Sequence, residues 1–470
     1  MRLKPIVFAC MLALAAASAS AAEDPAMTQM KQQIEALQKQ LAAMQGKLEQ
    51  MSAAPAPQAQ ASPTQQQAQS QQASAAGPLT TTIGGAAVTL YGYADLSVDS
   101  ARNGVERVNQ VSSNLSYLGV KAAKPLGSTG VSAIAQVETL VNISGTPTET
   151  GGLGSRNSFV GLQGNFGKIM LGKYDTPYKR STAAMDPFAS SVADYNSIMG
   201  NTGGDLRAEF DARLSHSIFW DSPVINGFSA NVLVSPGQKL MDLSGGANNA
   251  FPQGEKVCSG ATPGSSGSLP DATTNSCNDG AFGNAYSAAV NYENGPLFAT
   301  AAYERHQSVN RSGDTGGVVA NESAAKVGVS YKIAANRVSA IYEKFFRGGG
   351  IDPTLNERAR NGYYLSDVYT FAPKWDAMLA WAHAGQTPGG PDFGTLDDQA
   401  NMYAVGLKYH MDVQTSFYAV ATMLKQGAGA HYALGASGHG TPIASPRSDA
   451  GDTLGGHTLT AVSAGMQYAF

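Results

Sequence analysis

Charged residues are scarce in this chain. Its 31 Lys and Arg with 35 Asp and Glu amount to 14% of 470 residues, where a soluble chain carries about 25%. Long apolar runs are missing too. Past the N-terminus no stretch of 18 or more apolar residues occurs, which excludes a bundle of membrane-spanning helices. A net charge of −4 with no basic face argues against nucleic acid as a partner. The seven His are scattered, without H-E-x-x-H or H-x-H, and neither G-x-S-x-G nor a nucleotide loop is found. The sequence therefore reads as a non-enzyme, with no catalytic residues, metal or cofactor expected. What it has is 53 Gly, 19 Tyr and many short alternating segments. That combination fits a β-barrel with lipid as its solvent.

The N-terminus sets the expected compartment. Arg2 and Lys4 precede an apolar stretch from Ile6 to Ala17, and Ala19-Ser20-Ala21 forms an A-x-A site. Residues 1–21 read as a signal peptide. Residues 22–51 follow with a heptad: Met27, Ile34, Leu41 and Leu48 alternate with Met30, Leu37, Met44 and Met51. This 3-and-4 spacing predicts a short α-helical coiled coil that needs partner helices. Residues 52–79, rich in Gln, Ala, Ser and Pro, read as a tether. The mature chain keeps two cysteines, Cys258 and Cys277, in a Gly/Ser/Pro-rich stretch. In an exported protein they are expected to close a disulfide across a surface loop.

From there to residue 470 the period is two. In Val88 to Val98 the odd positions are Thr89, Tyr91, Tyr93, Asp95 and Ser97, and the even ones are apolar or small. One polar and one apolar face is what a strand between water and lipid requires. Sixteen such segments are read, near 88–99, 113–124, 130–141, 156–165, 166–174, 213–222, 226–235 and 284–293, then 296–305, 322–333, 336–346, 360–371, 374–384, 400–411, 413–424 and 457–470. Short connections alternate with long ones at 175–212, 236–283, 306–321, 385–399 and 425–456. Short turns on one side and long loops on the other predict an all-β transmembrane barrel of sixteen antiparallel strands over 80–470. An even count puts both barrel ends, and so the helix and tether, on the periplasmic side. At the C-terminus Met466, Tyr468 and Phe470 alternate with small or polar residues, as a closing strand with a lipid-facing aromatic girdle would.

These residues resemble the trimeric general porins of Gram-negative bacteria, especially the β-proteobacterial and neisserial branch. The matching motifs are Leu90-Tyr-Gly-Tyr-Ala-Asp95, Leu118-Gly-Val-Lys121, Arg156-Asn-Ser-Phe-Val-Gly-Leu162, Gly164-Asn-Phe-Gly167, Leu171-Gly-Lys173, Thr176-Pro177, Asp186-Pro-Phe188, His216-Ser217, Asp221-Ser-Pro223, Gly227-Phe228 and the terminal Phe470. The resemblance covers 88–470 and is densest to 235. It implies a homotrimer, an aqueous pore for small hydrophilic solutes, an outer-membrane location among lipid and lipopolysaccharide, and insertion by the outer-membrane assembly machinery. It also implies that the loop after the fifth strand folds inward as a constriction loop. That loop carries Asp175, Asp186, Asp194, Asp205, Glu209 and Asp211. By motif position Lys121, Arg156, Lys173 and Arg213 are expected to form the basic wall opposite. Tyr117 departs from the family pattern, which has Arg before Leu-Gly; it offers a stacking surface instead of charge.

The leading function is a passive diffusion channel. A solute-specific channel for a sugar or an organic anion is the alternative, separated by saturable flux. A trimeric adhesin or autotransporter also joins coiled coil to barrel, but here the helix is short and the barrel large and complete.

Overall fold

The computed structural model describes residues 79–470 except 146–151, 202–209, 237–254, 257–280, 283, 311–318, 347–358, 389–396, 436–438, 441–442 and 445–455. The signal segment, the heptad from Met27 to Met51, the tether to residue 78, Asp205, Glu209, Cys258 and Cys277 lie outside the described residues.

Sixteen antiparallel strands close into a barrel. The first half is β1 Ala86–Arg102, β2 (Arg107–Ser113 and Tyr117–Pro125), β3 Ser132–Leu140, β4 Ser158–Gly164, β5 Gly167–Asp175, β6 Arg213–Asp221, β7 Phe228–Ser235 and β8 Asn284–Asn294. The second is β9 Leu297–Asn310, β10 Val319–Ile333, β11 Asn336–Phe346, β12 Asn361–Ala372, β13 Trp375–Ala384, β14 Ala400–His410, β15 Thr415–Gln426 and β16 Leu459–Ala469. Each pairs with its neighbour in sequence, and β16 returns to β1 in register from Tyr93↔Ala469 to Arg102↔Thr460. Phe470 extends that seam by exchanging backbone hydrogen bonds with Gly92 at 3.0 and 3.1 Å. The alternation at the end of the chain holds: Met466 and Tyr468 face outward, and the Tyr468 and Phe470 rings stack at 5.9 Å.

Two features of the first hairpin were not read from the sequence. The β1–β2 loop is only residues 103–106, so both strands run further than the alternation suggested. β2 is interrupted at 114–116, where Leu115 takes a φ of 49°. The interruption aims Asn114 into the barrel, where its amide donates to Ser97 at 3.0 Å, Tyr418 at 3.1 Å and Asp95 at 3.2 Å. An irregular strand here serves to re-aim a side chain. A further strand, Leu79–Ile83, precedes the barrel and turns back on β1 through Gly84-Gly85, with Leu79 opposite Leu90. Paired positive-φ glycines give the tight hairpin that matches strand twist. This strand takes in Leu79, the last residue of the expected tether.

The two faces follow the period of two. Val98, Leu171 and Leu379 are more than half exposed on the outside, while Ser97, Met170 and Met378 turn inward and are buried. Mid-strand, Asp367 breaks the pattern. It pairs laterally with Val338 and Leu379 and shares its parity with Leu365 and Tyr369, all outward. Its Oδ1 has no hydrogen-bond partner among the described residues. A carboxyl facing lipid destabilises a barrel, less than a Lys or Arg would at the midplane. Asp367→Leu is expected to raise the unfolding free energy by on the order of 1 kcal/mol, read from urea titrations in lipid vesicles. A midpoint that stays put or falls would refute the outward placement.

Candidate functional site

The described residues of the long loop after β5, 176–201 and 210–212, lie against the inner wall. It opens with a short helix, α1 (Pro177–Thr182), started by Thr176, whose hydroxyl accepts from the Lys179 amide at 3.2 Å, and by a proline in its first turn. The wall has been shaped to receive the loop. A Cβ at Gly328 of β10 would stand 2.8 Å from the Met185 methyl, and one at Gly406 of β14 equally close to the Phe188 ring. Only glycine leaves room for that approach.

Polar contacts then fix the loop. Glu343 of β11 accepts from the Tyr178 hydroxyl at 2.8 Å and from the Gly200 amide at 3.1 Å. Arg360 pairs with Glu343 at 3.4 Å and donates to the carbonyls of Ile198 and Asn201. Ser287 accepts from the Tyr178 amide at 3.0 Å, and Ser366 donates to the Met185 carbonyl at 2.8 Å. The loop therefore rests on β8 to β12 and β14.

The described loop acids are used in this seating. Asp186 accepts from the amides of Phe188 and Tyr195 and from the Tyr364 hydroxyl. Asp194 accepts from the amides of Ser190 and Asn196, and so caps the turn Tyr195–Ser197. Asp211 pairs with buried Lys326 at 2.5 Å. Asp175, at the root of the loop, pairs with Arg213 at 3.1 Å and Lys179 at 3.3 Å. Of the described acids only Asp175 meets an expected wall cation, Arg213, and it does so at the root of the loop; Asp186, Asp194 and Asp211 are engaged elsewhere.

The four expected cations are dispersed. Arg156 donates to Glu138 at 2.5 Å and lies over the Tyr117 ring at 4.6 Å. Lys121 turns inward on β2, its ammonium 5.3 Å from the Tyr91 ring centre. Arg213 is occupied by Asp175 and Asn157. Lys173 shares its parity with Ile169 and Leu171, the outward set, and not with Met170 and Tyr174. The inward cation of β5 is Lys168, two residues before Met170 and close enough to Lys121 for their charges to repel. Parity counted from Ile169 and Leu171 would have found it in the sequence. Across from Lys168, Asp221 is already held by Arg180 at 2.9 and 3.1 Å and by Asn231 at 2.7 Å.

A second inward loop had no sequence signal. Between β15 and β16, Tyr432, Leu434 and Ile443 bury themselves in one cluster with Val192, Tyr195 and Ile198 of the first loop. The Gly435 amide donates to Ser197 at 3.0 Å, and His439 meets Asp99 of β1 at 3.1 Å.

A closed barrel with a water-facing inner wall and loops folded into it defines an outer-membrane channel. The chain belongs to the Gram-negative porin family, whose model matches residues 52–429. It is 27% identical over 372 residues to the major outer membrane protein P.IB of Neisseria sicca, covering 73% of this chain and 90% of that one. Among solved structures it is similar to the anion-selective porin from Comamonas acidovorans, with a TM-score of 0.58 and 20% identity over 82% of this chain and all of that one. Outer-membrane-expressed OmpT of Vibrio cholerae gives 0.54 and 14%, covering 83% of this chain and all of that one. At these identities the solved structures show the fold alone. The protein is an outer-membrane porin.

Burial raises both staple acids of the loop: Asp186 to about 6, and Asp194, which also feels Asp186, to about 8. The seated loop thus keeps protons that a released loop would give up near the ordinary carboxyl value of about 4. Seating is strongest at low pH, weakens as pH rises from about 4, and has lost this contribution above about 8. Protease cleavage within 186–201 is expected to rise between pH 5.5 and 8.5, with Asp194→Asn flattening the profile. An identical profile in that variant would count against the assignment.

Proposed function

We propose that this porin is a passive diffusion channel favouring small anions, and that its filter lies on the wall of β1 to β5. The carrying observation is the balance of charge there. Lys121 and Lys168 face the lumen with their charges open to water, while the acids of this wall are withdrawn from it: Glu138 pairs with Arg156, Asp95 is buried under four side-chain hydrogen bonds, Asp99 is buried against His439, and the described loop acids hold the loop. Charges in a narrow aqueous path set the field that selects ions, and here the sign left facing water is positive. The anion-selective porin of similar fold is in keeping with this reading. Catalysis has no place in it.

We also propose a homotrimer contacting through the outside of β1 to β5, in membrane containing lipopolysaccharide, with the heptad of 27–51 joining the three chains in the periplasm. The large apolar residues facing outward on these strands are aliphatic, among them Val98, Val120, Val137, Val160 and Leu171. Outward aromatics gather elsewhere, as Tyr331, Tyr369, Phe371, Trp375 and Phe417. Aromatic girdles mark lipid-facing wall; a wall without them suits a second copy of the chain.

The reversal potential in a potassium chloride gradient tests the filter. Chloride should lead in the unaltered channel, and Lys121→Glu with Lys168→Glu should turn the preference to potassium. An unshifted potential would place the filter elsewhere. For the assembly, Val120→Cys is expected to give inter-chain cross-links in intact outer membranes; none would point to another face.

A further inference from the structure

We propose that the same wall carries a binding subsite for aromatic carboxylates, formed by Tyr93, Tyr117, Arg156 and Lys121; the inference rests on the anion-favouring reading of that wall. Tyr93 and Tyr117 stack at 5.9 Å with their planes 28° apart, and Tyr91 meets Tyr117 edge-on at 6.2 Å. A cation stands on each side of this aromatic patch: Arg156 over Tyr117 and Lys121 over Tyr91. Side chains from β1 and β2, with Arg156 just before β4, thus combine π faces with positive charge.

The hydrogen-bonding state of the patch narrows the ligand. Its acids are taken. Asp95 accepts from Tyr418 at 2.8 Å, Gln467 at 2.8 Å, Asn114 at 3.2 Å and Tyr93 at 3.3 Å. Glu138 takes Arg156 on one oxygen and the Tyr91 hydroxyl on the other. Little acceptor capacity remains for the hydroxyls of a sugar. What remains is donor and cation capacity. Arg156 is more than nine-tenths buried, and its Nη1 has no hydrogen-bond partner among the described residues; Lys121, over Tyr91, is exposed. A buried guanidinium nitrogen without an acceptor is costly to leave so, and a carboxylate supplies the missing acceptor. The ring of the same ligand extends the Tyr93–Tyr117 stack from the half-buried Tyr93 side. A planar aromatic acid satisfies both halves of the patch; a simple anion satisfies one.

The test uses the full-length protein in planar lipid bilayers, with benzoate, cyclohexanecarboxylate and glucose as probes of current interruption. Benzoate should interrupt the current, and cyclohexanecarboxylate, matched in charge and size but without a π face, should do so roughly threefold to tenfold more weakly, as an aromatic pair predicts. Tyr93→Leu should erase that gap. Lys121→Gln, at an exposed position where folding is not at stake, should weaken both acids. The proposal is overturned if the two acids act equally, if neither interrupts the current, if glucose matches benzoate, or if the gap survives Tyr93→Leu. A channel that favours chloride yet ignores benzoate overturns this subsite alone; loss of chloride preference in the unaltered channel overturns the reading beneath it.

Discussion

Lipid offers no hydrogen bond to a peptide group, and that constraint shapes the molecule from end to end. Each strand must find both neighbours, so the sheet has to close, and closure falls to β1 and β16. The terminal phenylalanine completes the seam with Gly92. Once the ladder is closed, side-chain parity assigns every strand residue to lipid or lumen. A wall that is apolar outside can then be polar inside, and the interior becomes available for water and for loops.

The inward loop is held by a different kind of interaction. Glu343 with Arg360, and Asp211 with Lys326, are charge pairs taken almost wholly out of solvent. Such pairs contribute little net stability, yet removing one partner leaves the other stranded, at a cost of about 3–5 kcal/mol. They therefore favour one position of the loop over its near neighbours. The room made by Gly328 and Gly406 points the same way, because the loop's Met185 and Phe188 fit only where the wall has no Cβ. Position is specified by sterics and by the penalty for misplacement.

The barrel was legible in the sequence because a half-buried strand writes itself as strict alternation. All sixteen segments read from that alternation overlap the observed strands. The site was legible only in part, and the reason is physical. Motif position identifies Lys173 as a wall cation, but strand parity, a more local rule, turns it outward and Lys168 inward. Loop acids look alike in a sequence whether they face a pore or cap a turn. Asp186 and Asp194 do the second, which their spacing does not reveal. The second inward loop lacks periodicity of any kind; its placement depends on a tertiary contact with Ser197 and on Asp99, some 340 residues earlier in the chain.

That second loop makes the two inward loops depend on each other. Tyr432, Leu434 and Gly435 rest on residues of the first loop, and they hang from the connection between the last two strands. Their contacts exist only where the first loop is seated. The interior is thus layered, wall, first loop, second loop, and the outermost layer is tied back to the wall where His439 meets Asp99 of β1. A change that shifts the first loop is therefore passed on to the second and through it to β1, on the far side of the strand seam.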